Sequence, residues 1–327
     1  MESIKKYIDP LLWQAISNSP FATIDYENLL ANDPIKIRDA ERTLYLAERP
    51  LPVPSELQVQ NREIPSADGL HQIRVRTYSP KGKQNLPMLL YFHGGAFIYG
   101  TPEQYDFMFF QLAMDTNLLI VSVDYRLAPE NPFPAGMDDG YTALKWLANH
   151  GAEIGGDKDN IIIGGSSAGA TIAASITHLA RDRKEIVIQH QYLLYPPMSH
   201  SLATSSMVEL AHAPMQSKIA AAWMWKHYLQ DQLSDPPQYA VPLSESDFTD
   251  LPDATIVVCA LDPLKDEGKL YANKLKEAHV EVNLLEIQRA VHAFDFFDCP
   301  LSEQFYQQQV TLFQHIVKKI HEKDPRD

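Results

Sequence analysis

The chain has 327 residues, of which 45% are hydrophobic and 21% charged. This composition excludes a disordered, collagen-like or coiled-coil chain, and the length suffices to bury a large core without staples. Acidic side chains outnumber basic ones 42 to 28, a formal charge of −14, which argues against nucleic-acid backbones and anionic membrane surfaces as partners.

Residues 1–55 read as a helical, proline-punctuated segment. Asp9-Pro10 and Asp33-Pro34 each read as an N-cap followed by proline at the first helical position. After the first, Leu11, Leu12, Ala15 and Ile16 recur at helical spacing. Leu51-Pro52-Val53-Pro54 then breaks the pattern. From Leu57 the period changes. Leu57–Pro65 and residues 73–78 alternate like half-buried strands around an Asp68-Gly69 turn.

Short apolar runs follow at 88–92, 118–123, 160–163, 190–195, 254–260 and 282–287. They alternate with helical patterns near 103–115, 137–150, 168–181, 265–279 and 302–321. Continuous apolar runs are the mark of strands buried on both faces, and their alternation with helices predicts a mostly parallel sheet with right-handed crossovers. The expected fold class is a doubly wound α/β domain over 56–327 with an antiparallel start. Between residues 195 and 254 lies an interval too long for a bare loop. A helical pattern near 214–229 with Met215, Ile219, Ala222, Trp223 and Leu229 predicts an insertion at about 198–235. With residues 1–55 it is expected to cap the sheet as a lid.

Two cysteines, Cys259 and Cys299, are too few for a disulfide framework and fit a reducing compartment. No stretch approaches the roughly 20 apolar residues of a membrane span. The basic start lacks a signal-peptide core, and the charged tail at 321–327 carries no lipidation motif. A cytoplasmic location is the expectation.

Gly165-Ser166-Ser167-Ala168-Gly169 follows an apolar strand run and opens an apolar helix pattern. A serine at the centre of such a turn is held in a strained conformation with its hydroxyl projecting from the sheet edge. The small residues on either side are expected where strand and helix backbones come close. Ser167 is the candidate nucleophile. A phosphate loop is disfavoured, because no G-x-x-x-x-G-K-[ST] occurs.

His93-Gly94-Gly95-Ala96 follows another strand run. Acyl transfer needs preorganised amides for the developing oxyanion. Gly95 and Ala96 are the candidate donors, with Gly94 shaping the loop and Ala168 donating from the elbow. His93 reads as a hydrogen-bonder holding the loop.

In the α/β-hydrolase order the acid follows the serine and the histidine comes last. Of the histidines late in the chain, His315 and His321 fall in the terminal helical pattern, and His279 ends a helix. His292 sits just past a strand run, at the carboxyl edge where sites gather. It is the candidate base. Asp262, directly after the run at 254–260, is the candidate acid that orients the imidazole. It also reads as a helix N-cap ahead of Pro263. Asp266 and Glu267, a turn further on, are less direct alternatives.

In this order the motifs resemble the hormone-sensitive-lipase-like family of α/β-hydrolases, especially its bacterial carboxylesterases and acetyl esterases. The HGGG stretch is matched by His93 to Ala96, and Y-R-L-A-P-E by Tyr125 to Glu130. The elbow is Gly165 to Gly169, D-P-L-x-D-E is Asp262 to Glu267, and H-[GA]-F is His292 to Phe294. The resemblance implies an α/β-hydrolase fold with a helical cap over the pocket. Three departures stand out: Ala96 for the third glycine, Ser166 for the usual acid or threonine, and Gln288-Arg289 for Pro-Gly. Tyr125, Arg126 and Asp139 have no derivable chemical role and read as braces beneath the site.

The expected activity is a serine carboxylesterase acting on short- to medium-chain acyl esters through an acyl-enzyme. The expected partner is a small-molecule ester, and no metal or organic cofactor is implied. Met215, Trp223 and Trp225 are candidate pocket residues, with plain packing as the blander reading. An amidase, formamidase or peptidase could use the same triad, and a ligand receptor or regulatory protein could use the same scaffold. Related enzymes are often homodimers, and no feature of this sequence decides the oligomeric state.

Overall fold

The computed structural model describes residues 2–47 and 51–323. Met1, residues 48–50 of the expected N-terminal cap segment and the last four residues of the charged tail lie outside the described residues. Four short helices open the chain: α1 (Glu2–Lys5), α2 (Pro10–Asn18), α3 (Tyr26–Asn32) and α4 (Lys36–Ala47). The Asp9 carboxylate accepts from the Leu11 and Leu12 amides, with Pro10 in the first turn, so this N-cap forms as the sequence predicts. Asp33 does not repeat it. It is the C-cap of α3, at φ −157°, and α4 begins three residues later. The Asp33 carboxylate pairs with Lys36 instead of capping amides.

The sheet strands are β1 (Leu57–Pro65), β2 (Gln72–Pro80), β3 (Leu86–Phe92), β4 (Leu119–Asp124), β5 (Gly156–Ser166), β6 (His190–Leu194), β7 (Asp253–Cys259) and β8 (Val282–Ile287). Their spatial order is β1-β2-β4-β3-β5-β6-β7-β8. β1 pairs antiparallel with β2, and β2 with β4. Every later pairing is parallel. β3 and the first five residues of β4 are wholly buried, in keeping with sequences that are apolar but for Ser122. β5 is longer than its apolar run, because an irregular lead-in from Gly156 pairs with Leu86 before the register shifts.

The crossover helices are α5 (Asp106–Thr116), α6 (Ala135–His150), α7 (Ala168–Arg183) and α10 (Lys265–Glu277), and α11 (Pro300–Lys323) follows the last strand. A 3₁₀ turn, Pro102–Tyr105, precedes α5. One large core cluster lies between the sheet and α6, α7 and α10, and the other between the sheet and α2, α5 and α11. Each holds one apolar face of a sheet that alternates its side chains between the two.

The interval after β6 contains α8 (Ser205–Glu209) and α9 (Lys218–Leu229). Ser217 caps α9 by accepting from the Ala220 amide, which starts the helix later than the sequence pattern suggested. Met215 is therefore outside the helix, with φ 69°. α3 packs on α9 around Leu30, Ile37, Ile98, Ala128 and Ala220, and His227 Nε2 lies 2.7 Å from the Leu30 carbonyl. The N-terminal helices and the insertion thus form one apolar contact on the site's side of the sheet. Among the described residues no helix is long and apolar enough to cross a membrane.

Candidate active site

Ser167 stands between the last residue of β5 and the first of α7, with φ 49° and ψ −125°. A non-glycine residue rarely holds such a backbone. Its own amide donates to the Leu194 carbonyl, and its carbonyl accepts from Ala170 and Thr171, so the turn is fixed at both ends. The flanking glycines have a steric reason. A Cβ on Gly165 would come within 2.4 Å of the Gly169 backbone, and one on Gly169 within 2.1 Å of the Phe92 carbonyl. The strand and the helix approach too closely for any side chain there.

His292 follows β8, and its ring joins two partners. Nε2 lies 2.9 Å from Ser167 Oγ, and Nδ1 lies 2.6 Å from Asp262 Oδ2. Asp262 is fully buried, while Ser167 and His292 are 8% and 5% exposed. Only the hydroxyl end of the chain thus reaches toward solvent. The other Asp262 oxygen accepts from the Leu264 amide. This local bond is the cap-like function expected of Asp-Pro, but Leu264 occupies the N-cap position and α10 starts one residue later. Asp266 and Glu267 face away from the imidazole. Asp266 accepts from the Ser206 amide, and Glu267 from the Met198 and Ser199 amides, so both tether the insertion. Burial raises the Glu267 carboxyl to about 8.

The loop after β3 turns through positive φ at Gly95 (118°), Ala96 (53°) and Phe97 (63°). The carbonyl of Gly95 accepts from Ile98 and Tyr99, closing the turn. Among the described residues, the amides of Gly95, Ala96 and Ala168 donate to no other group. The Gly94 amide is already taken, because it donates to the Tyr105 hydroxyl at 2.8 Å. Gly94 therefore shapes the loop and is not an open donor. His93 is buried with Nδ1 2.7 Å from the Gly94 carbonyl, and burial lowers its pKa. It holds the loop and does not approach the serine pair.

The brace residues have clear contacts. Tyr125 donates to the His93 carbonyl and stacks on the His93 ring at 4.3 Å. Arg126 forks onto Asp139, which also meets His71 Nε2 at 3.0 Å. Of the three pocket candidates, Trp225 is buried with its ring 5.7 Å from Phe97, next to Ala96. Trp223 packs into the α3–α9 contact and stacks on His227. Met215 is 42% exposed on the insertion. Trp225 is brought against Phe97 of the loop after β3, and Trp223 packs on the cluster that holds Ile98 of the same loop.

Three further residues escaped the sequence. Arg38 on α4 donates from Nε to the Ile98 carbonyl and from Nη2 to the Ala128 carbonyl, and it forks onto Glu130. Asp295, in the turn after His292, accepts from Tyr195, whose ring edge packs on the His292 imidazole at 4.7 Å. Burial lifts the Asp295 carboxyl to about 6, against the lowering effect of the Tyr195 bond. Tyr105, already met at Gly94, is the third. The spacing patterns that reveal motifs carry no signal for side chains that act across such sequence distances.

A mostly parallel sheet with a serine on a strained turn after β5, an acid after β7 and a histidine after β8 defines an α/β-hydrolase. The chain belongs to that family, in its hormone-sensitive-lipase-like branch, and the model of the alpha/beta hydrolase fold matches residues 89–296. It is 35% identical to the esterase LipI of Mycobacterium tuberculosis over 294 residues, covering 89% of this chain and 88% of that one. It is 34% identical to the carboxylesterase NlhH of the same organism, covering 88% of each. Among solved structures, a bacterial heroin esterase superposes with a TM-score of 0.84 at 31% identity, covering 95% of this chain and 98% of that one.

Proposed function

We propose that the protein is a serine carboxylesterase that hydrolyses short- to medium-chain acyl esters through an acyl-enzyme. The observation that carries this reading is the continuous chain Ser167–His292–Asp262, with contacts of 2.9 and 2.6 Å. The names of its relatives, esterases and carboxylesterases, support the reaction class.

In the first half-reaction Ser167 Oγ bonds to the ester carbonyl carbon while its proton passes to His292 Nε2. Asp262, held by the Leu264 amide, keeps the imidazole oriented and stabilises its charged form. The carbonyl oxygen becomes an oxyanion, and the amides of Gly95, Ala96 and Ala168 bind it. Collapse breaks the ester C–O bond, and His292 gives its proton to the departing alcohol. In the second half-reaction His292 takes a proton from water, whose oxygen attacks the acyl carbon. Ser167 leaves with the proton, and the carboxylic acid is released.

The N-terminal helices and the insertion at 198–235 act as the cap. Their mutual packing through α3 and α9 supports a pocket closed from above. Trp225 borders the acyl side through Phe97, and the closed roof favours short chains.

The test is hydrolysis of p-nitrophenyl acetate, butyrate, octanoate and palmitate by wild type and Ser167→Ala. The expected result is a preference for acetate or butyrate, and a loss of at least about 10³-fold in the variant. Full activity in Ser167→Ala, or a wild type inert on all four, overturns the mechanism. A palmitate optimum overturns the chain-length assignment alone.

A further inference from the structure

Tyr105 touches three separate segments around the serine. Its hydroxyl accepts from the Gly94 amide at 2.8 Å, on the loop after β3. The same hydroxyl shares a hydrogen bond with Ser166 Oγ, the residue before the nucleophile. Its ring meets Phe296 edge-on at 5.1 Å, on the turn that follows His292. Phe109 stacks against it at 5.5 Å and Tyr91 tilts onto it at 5.3 Å, so the buried ring is fixed from behind. Burial also pushes the phenol far above its ordinary range, so the hydroxyl keeps its proton.

The main-chain ladder explains why such a contact matters. β3 and β5 are registered by hydrogen bonding as far as Phe92 and Gly165, and there the ladder ends. The amides of Gly95 and Ala96 lie beyond the end of one strand, and that of Ala168 beyond the end of the other. All three must converge on one oxygen within hydrogen-bond distance. The next link after the ladder is Gly94 to Tyr105 to Ser166. It is tightly packed, since a Cβ on Gly94 would sit 3.2 Å from the Ser166 carbonyl and 3.3 Å from both hydroxyls. The hydroxyl of Ser166, at the position where the family usually carries an acid or threonine, is accounted for by its tyrosine partner.

We propose that Tyr105, with Ser166 as its partner, is a positioning residue that sets the oxyanion loop in register with the nucleophile elbow. The proposal rests on the triad reading above. Tyr105 touches no reacting atom. It acts by fixing where the Gly95 and Ala96 amides point relative to Ser167.

The experiment compares Tyr105→Phe, Ser166→Ala, Ser166→Thr and the Tyr105→Phe/Ser166→Ala pair with wild type on p-nitrophenyl butyrate. An alkylboronic acid serves as the tetrahedral analogue. Tyr105→Phe keeps the ring against Phe109 and Phe296 and removes only the hydroxyl. The expected result is a kcat loss of about 10- to 100-fold with KM within about twofold, and a matching loss of boronate affinity. Ser166→Ala should lose a similar factor and Ser166→Thr less. The double variant should fall well short of the product of the single losses, because both remove the same link. A kcat within about twofold of wild type in Tyr105→Phe overturns the proposal, as does a double variant whose losses multiply. Should Tyr105→Phe not fold, Ser166→Ala against Ser166→Thr decides by the same criteria. Labelling of Ser167 by a phosphonate ester separates the two readings. Labelling that persists in a slow Tyr105→Phe upholds the triad, and a wild type that resists it overturns the triad reading whatever Tyr105 does.

Discussion

Ser167, Ala96 and Arg289 are non-glycine residues in the left-handed region, at φ 49°, 53° and 61°. The first is the strained elbow that a G-x-S-x-G match implies. The other two stand where the family pattern places glycine, and glycine reaches that region without a Cβ penalty. Two of the departures visible in the sequence, at Ala96 and Arg289, are thus points of local backbone cost in the fold. At Ala96 the methyl group also borders the proposed oxyanion site. Ala96→Gly is expected to raise the rate on tertiary-alcohol esters, such as tert-butyl acetate, relative to p-nitrophenyl acetate by about fivefold or more. Equal ratios for variant and wild type, from paired kcat/KM measurements, would remove the methyl group as a specificity element. The triad candidates were legible because each follows a strand run, in a fixed order. Arg38, Tyr105 and Asp295 were not, because nothing within a few residues of them announces what they touch. Arg38 meets Ile98 across 60 positions, and Tyr105 meets Ser166 across 61.

At the scale of elements, polar side chains tie α4 to the loops of the site. Arg38 binds the Ile98 and Ala128 carbonyls and Glu130. Glu41 accepts from Tyr26 and from Gln104, the neighbour of Tyr105. The Ile98 amide in turn donates to the Gly95 carbonyl, so the N-terminal segment and the proposed oxyanion loop share a carbonyl-to-amide path. Replacing Arg38 by Met keeps the aliphatic stem and deletes charge-assisted bonds worth about 2 kcal/mol in total. We predict a fall in kcat/KM of about 5- to 30-fold for Arg38→Met on p-nitrophenyl butyrate, with far-UV circular dichroism unchanged. Full activity would show that the docking of α4 is independent of the loop. The strands and crossover helices were readable from apolar runs and helical spacing, with ends displaced by a few residues. The start of α4 was misread, because Asp-Pro marks a turn as readily as a helix start, and only the α3 C-cap distinguishes them. The start of α9 was set by Ser217, a cap hidden behind the apolar Met215.

Across the whole molecule, burial has left several groups out of balance with water, and pH should expose this. Glu41, Asp295 and Glu267 are raised to about 7, about 6 and about 8, in each case chiefly by burial. A carboxyl whose folded pKa is raised holds a proton that the unfolded chain has shed. Each therefore costs stability increasingly as pH climbs from the unfolded value through the folded one. His178 works in the opposite sense. Burial, aided by Arg181, lowers it to about 3, so the folded chain refuses a proton that the unfolded chain accepts below about 6.5. Stability is then lost as the medium becomes more acidic. From about pH 5 to pH 8 the three carboxyls outweigh the single histidine, so these groups together predict thermal stability that falls as pH rises across that range. Glu267→Gln should gain on wild type between pH 6 and pH 9, by at least about 3 °C in relative Tm. Parallel Tm–pH curves for the two proteins would show that Glu267 does not titrate in this window.

The contact between Asp9 and Arg289 has a consequence for the birth of the molecule. The Asp9 amide donates to the Arg289 carbonyl, so the second helix leans on the loop that carries His292. A ribosome releases the beginning of the chain long before it makes that loop, at about 5–20 residues per second. Ser167 likewise waits for its proposed base, His292, made 125 residues later. A nascent chain that stops short of β8 holds its proposed nucleophile but has neither the proposed base nor the seat for its own first helices. Newly made protein is therefore expected to remain chemically silent, with apolar surface open to chaperones, until β8 docks. Pulse-labelled chains arrested before residue 280 should fail to react with a phosphonate probe, whereas released full-length chains react within the time they need to fold.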